Sequence, residues 1–229
     1  MDNVENWQIA PDSIINNYTE YTDCKDIFQG VCNELGRYFK EKGFRYAKSG
    51  PRISGTVGDI KVRIGLSTTR TNRQGESVGL AISPLFSSIK MEKSFGEESA
   101  YIWGYPEVYY RFTKCAPRCD VIVRRLFAPD IERSDAYYKN QLIISNNINV
   151  WGIDETKLVR LIDFINVNVI DVMSTLQDEA RLRKYLLELD NFTKSRIKND
   201  ESSICHYLST QFPELYKDFK SLDFDDASL

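Results

Sequence analysis

The chain has 229 residues, is 42% hydrophobic and 12% aromatic, and carries a formal charge of −3. That is enough apolar material for one sizeable core and too much for a disordered chain. No apolar run approaches the roughly 20 residues a bilayer-spanning helix needs, and the acidic, polar start from Met1 to Ala10 does not read as a signal peptide, so a cytoplasmic protein without membrane contact is expected. Five cysteines scattered at 24, 32, 115, 119 and 205 make a poor disulfide framework and fit the same compartment.

The charge is unevenly spread. Residues 1–23 hold five acids and no Lys or Arg, residues 221–229 hold three acids and no base, and the body between holds 25 acids against 30 bases. Such an arrangement fits a solvated surface, and also acidic ends suited to a basic partner.

Taken in chain order, residues 1–20 read as an arm with apolar anchors (Trp7, Ile9, Ile14, Ile15, Tyr18) and a short helical turn after Pro11. From Thr22 a helix follows. Ile27, Phe28, Val31, Cys32, Leu35, Tyr38 and Phe39 recur at helical spacing, and Gly43 stops it. Beyond Gly43 the period drops to two. A strand at Arg52 to Val57 turns through Gly58-Asp59 into Ile60, Val62, Ile64 and Leu66, and a further strand carries Val78, Leu80 and Ile82. These are expected to form an antiparallel meander with one face for helices. Pro84 is read as the end of a strand, and Leu85 to Phe95 as a short amphipathic helix.

The segment Tyr101 to Arg125 interleaves aromatics with Arg111, Lys114, Arg118, Arg124 and Arg125. Such a mixture suits a protein interface, a nucleic-acid surface or the inner face of a sheet. Later, Asp154 should cap a strongly apolar helix through Leu176. Asp178 should cap the next helix, a polar break is expected from Asn191 to Ser203, and helices resume at Ile204 and Pro213. The fold class expected is α+β: an antiparallel meander sheet packed against a long buried helix, with a helical C-terminal extension. Residues 1–176 would form the α+β domain and its arm, and 177–229 the extension packed on it.

The run Glu34-Leu35 through Phe39-Lys40-Glu41-Lys42-Gly43-Phe44, then the alternating strands, then Val150-Trp151-Gly152-Ile153-Asp154 opening a helix, resembles small bacterial α+β proteins of unknown function. Some of those resemble immunity proteins that neutralise toxins in bacterial competition. The resemblance spans about 130 residues and brings no functional residues with it.

Catalytic patterns are few. Pro129-Asp130 followed by Glu155-Thr156-Lys157 has the order of a restriction-type nuclease, where two carboxylates hold Mg²⁺ beside an assisting lysine. Here Glu155 to Lys157 falls in the first turn of a helix, whereas that chemistry needs a strand. Asp59-Ile60-Lys61 is a second version on a better-placed strand, without a suitable upstream acid. Cys115 and Cys119 lack a second ligand pair for structural zinc, and the sole histidine, His206, has no nucleophile motif around it.

The leading expectation is therefore a non-catalytic binding protein of the immunity or inhibitor kind that occludes a protein partner such as a toxin, with no metal or other cofactor. The alternative is a metal-dependent nuclease or nucleic-acid-binding protein of a defence or restriction system, resting on Asp130, Glu155 and Lys157. Partner contacts are placed on Tyr101, Trp103 and Tyr105, and on Arg70 and Arg73 at the tip of a polar loop. The oligomeric state is left open.

Overall fold

A computed structural model describes residues 7–68, 72–97, 100–103, 147–189 and 191–222. The fold is α+β, with a six-stranded antiparallel sheet and helices packed against one of its faces. The strands are β1 (Arg45–Ala47), β2 (Arg52–Val57), β3 (Ile60–Ser67), β4 (Gly79–Ser88), β5 (Tyr101–Trp103) and β6 (Asn147–Asn149). They run β1-β2-β3-β4-β5 across the sheet, and β6 pairs with the start of β4.

The first helix, α1 (Cys24–Glu41), buries Ile27, Val31, Cys32, Leu35 and Phe39 against β1 and β2. Gly43, at φ +86°, releases the chain into β1. The long helix forms as its apolar period requires, running as α3 from Glu155–Ile165 and continuing through a π turn, Asn166–Ile170, into Asp171–Thr175. The Asp154 side chain caps its start by accepting from the Lys157 amide at 2.8 Å. Leu158, Leu161, Ile162, Ile165, Val169, Met173 and Leu176 are buried in the same core as the sheet's inner residues Ile53, Ile60, Val62, Ile64, Leu80 and Phe86.

Four helices follow. These are α4 (Glu179–Leu187), capped by Asp178 on the Arg181 amide at 2.8 Å, α5 (Asn191–Lys198), α6 (Ile204–Gln211) and α7 (Pro213–Ser221). Helix α6 packs against β5, and the Tyr207 hydroxyl donates to the Leu176 carbonyl at 2.7 Å. One further short helix, α2 (Ile89–Phe95), follows directly on β4 and precedes β5.

Two expectations are corrected. Pro84 does not end its strand: β4 runs on to Ser88, with Ile64 opposite Pro84. The proline sits between the stretches of β4 that pair with β6 and with β5, where no described strand calls on the amide hydrogen it lacks. Consequently α2 begins at Ile89, not at Leu85. The polar stretch after Asn191 is no break either, because it winds into α5 and buries Ile197. Among its described side chains Ile197 is the buried one, and a single apolar anchor leaves a faint period.

Candidate functional site

The alternation of β2, β3 and β4 divides the sheet into two chemically different faces. One set of side chains enters the core, and the other set is small or basic apart from Leu85. Register fixes how the outer set is arranged. Arg45 lies opposite Ser54, Ser54 opposite Arg63, and Arg63 opposite Leu85. The next row is Ala47, Arg52, Gly65 and Ser83. On the other side lie Thr56, Lys61, Ser87 and Tyr101.

Three arginines therefore surround Ser54. Arg45 and Arg63 flank it on neighbouring strands, about 10 Å apart at their Cα atoms, and Arg52 stands diagonal to both at roughly 7–8 Å. All three are exposed. None pairs with a carboxylate among the described residues, whereas neighbouring Lys61 is engaged by Glu92. Gly65, Ser83 and Ser87 keep the floor between them low, and two shallow depressions of about 510 and 660 Å³ open on this face. Tyr101 lines both.

Of the residues singled out in the sequence, Tyr101 belongs to this face, half-buried beside Ser87. Trp103 lies two residues further along β5, its backbone opposite Phe86, with an irregularity of register between that pair and Ser87–Tyr101. Tyr105, Arg70 and Asp130 lie outside the described residues. Arg73 is at the other end of β4, in the turn before Gly79, bonded backbone to backbone with Ser77 and 3.5 Å from Glu76. About eight residues of strand, roughly 25 Å, separate that turn from Tyr101, so Arg73 and Tyr101 do not share a surface. The arginines that do accompany Tyr101 are Arg45, Arg52 and Arg63. Alternation in β3 already put Arg63 opposite the apolar face, and the register that brings Arg45 and Arg52 beside it shows in the fold.

The nuclease-like residues have structural duties. The Glu155 carboxylate accepts the Ile9 amide at 3.0 Å and so pins the N-terminal arm to the start of α3. The Lys157 ammonium donates to the Gly152 carbonyl and lies 3.5 Å from Asp154. In the second motif, Asp59 accepts from the Ser88 hydroxyl and, at 2.8 Å, from the Lys90 amide, which makes it part of the α2 cap. Cys205 is buried, and exposed His206 meets the Phe95 ring edge-on at 5.2 Å. Among the described residues no group of three or more His, Cys, Asp or Glu is placed to hold a metal ion. Nor is any helix among them long and apolar enough to cross a membrane.

No protein-family model, curated protein or solved structure matches the chain.

Proposed function

We propose that this chain is a non-catalytic binding protein of the immunity or inhibitor kind, working in the cytoplasm by covering a protein partner with the outer face of its sheet. One observation carries the proposal: register gathers Tyr101, Leu85 and three arginines, without carboxylate partners among the described residues, onto a low floor of Gly and Ser, while the opposite face is filled by core. Tyr and Arg dominate protein interfaces because they bring large contact area and several donors at modest entropic cost. A strand-borne surface is also rigid, which lowers the ordering cost of association. A toxin is the partner that the resemblance to immunity proteins implies.

Occlusion makes a direct demand. A photo-crosslinking side chain placed at Ser83, in the middle of the face, should capture a protein in the native host, and one placed at Lys184 on α4 should not. The captured protein, purified, should lose its activity when this chain is added in equimolar amount. Capture from both positions alike, or an activity untouched by the chain, would defeat the proposal.

A further inference from the structure

We infer that the partner presents a compact acidic patch, and that Arg45, Arg52 and Arg63 around Ser54 receive it; this rests on the occluding role proposed above. Like charges on neighbouring strands repel and cost stability, and here three stand within about 10 Å of one another at their Cα atoms with no acid between them. An anion seated over Ser54 reverses that cost, because each guanidinium offers a planar fork of donors that matches a carboxylate in two parallel hydrogen bonds. The small side chains of Ser54, Gly65 and Ser83 let the partner's surface descend to that level. Ser54 itself adds a hydroxyl donor in the centre of the triangle.

Phosphates share this chemistry, so the nature of the occupant turns on the patch's extent. Among the described residues the basic area is small and has an acidic border on one side. Glu92 and Glu97 edge the depression beside Lys61 and Tyr101, and the whole chain carries −3. A long polyanion running toward β5 would leave the triangle within one or two phosphates and meet this negative border, inside the roughly 8 Å over which charge is felt at physiological salt. Among the described residues it would also find few rings to stack on, Tyr101 being the aromatic that lines both depressions. A folded protein's acidic cluster fits the triangle and ends where it ends. It would also be steered in by the field of the three arginines, which makes association salt-sensitive.

The test uses the intact chain and a fluorescent peptide alternating Glu and Thr, with its Gln-for-Glu counterpart and a single-stranded oligonucleotide of equal charge as comparisons. The acidic peptide should bind most tightly, should weaken with added salt, and should lose roughly tenfold or more in affinity in the Arg52→Glu, Arg63→Glu double variant, with Lys184→Glu unchanged. Thermal melts of both variants establish that they fold. Tighter binding of the oligonucleotide, no preference for Glu over Gln, or an unaffected double variant would overturn the acidic occupant. Crosslinking from Ser83 separates this from the broader proposal. A protein captured there whose complex ignores the double variant overturns the acidic patch and leaves occlusion standing, whereas no capture from Ser83 even with the arginines intact defeats both.

Discussion

Gln177, just past the long helix, holds the turn at Asp59 from 118 residues away in sequence: its Oε1 accepts the Asp59 amide at 2.8 Å. Its Nε2 donates to the Val57 and Met173 carbonyls, each at 2.8 Å, so one side chain ties the β2–β3 turn to the end of α3. The hairpin it fixes carries Arg52 and Arg63. Gln177→Ala strands the Asp59 amide at a partly buried position, leaves the exposed Val57 carbonyl to water, and should cost about 1–3 kcal/mol. Urea titration should show a lower midpoint with an unchanged slope. A wild-type midpoint would mean that water replaces the amide without loss.

Helix α1 lies close on β1 because Gly36 has no side chain. A Cβ built there would stand 2.4 Å from the Tyr46 ring, and that ring is anchored through its hydroxyl, which receives a bond from Gln29 at 3.1 Å and donates to Asn33 at 3.2 Å. The ring cannot retreat without breaking both bonds. Gly36→Ala is therefore expected to destabilise by about 1–3 kcal/mol through overpacking, despite alanine's better helix propensity. A rise in melting temperature would show that propensity wins.

Much of this architecture is legible in the residues. Wherever burial is one-sided, period reports it: α1, the β2–β3 hairpin and the start of α3 stand where the pattern puts them, and the Asp154 and Asp178 caps form as their chemistry demands. Local pattern fails where partners are distant. Pro84 looks like a terminator until β3 is seen opposite and a gap between β5 and β6 on the other side. Strand β6 is three residues long and forms only because β4 offers an edge. The outer face suffers the same limit, since Arg45, Arg52 and Arg63 belong to three strands and only register makes them neighbours. Asn166, likewise, shows its role only in the fold, where the π turn aims its amide at the Tyr38 hydroxyl at 2.8 Å.

At the centre of the core, Ile162 is wholly buried on α3. Ile162→Asp places a carboxylate in the hydrophobic cluster, and either ionised or protonated it should cost several kcal/mol, enough to unfold a marginally stable chain. The circular dichroism melt should lose its cooperative transition. A variant that melts like the wild type would put this part of α3 at the surface.

Alkaline pH should expose the α1–β1 contact. Burial pushes the Cys32 thiol from 9.0 up to about 12. The Tyr46 hydroxyl rises to about 12, first through burial, then through the nearby Cys32 charge, and against the opposing bond from Gln29. Both groups hold their protons more tightly in the folded chain, so above the unfolded values the unfolded chain binds fewer protons, and stability falls as pH rises. The contribution is intact below about pH 9, where thiol and phenol are neutral in either state, and is lost progressively towards pH 12. Cys32→Ala should flatten the decline at its lower end, where the thiol titrates first in the unfolded chain. Unfolding free energies across that range, with an unchanged slope in the variant, would show that Cys32 is not a source.

Glu155 distinguishes the two roles available to this chain. As the peg of the N-terminal arm it binds the Ile9 amide at 3.0 Å and sits in the first turn of α3, where a negative charge also favours the helix dipole. Glu155→Ala should then cost about 1–2 kcal/mol and loosen the arm. Limited proteolysis should cut ahead of Ser13 sooner than in the wild type, with partner binding through the sheet intact. As a metal ligand, by contrast, Glu155 would have to leave Ile9 and act with Asp130 on Mg²⁺, and its removal would abolish hydrolysis. The purified chain is expected to leave DNA and RNA intact in Mg²⁺, so that Asp130→Ala with Glu155→Ala changes nothing in that assay. Cutting by the wild type that the double variant abolishes would end the inhibitor proposal and make the arm's contact with Glu155 a resting position of a nuclease.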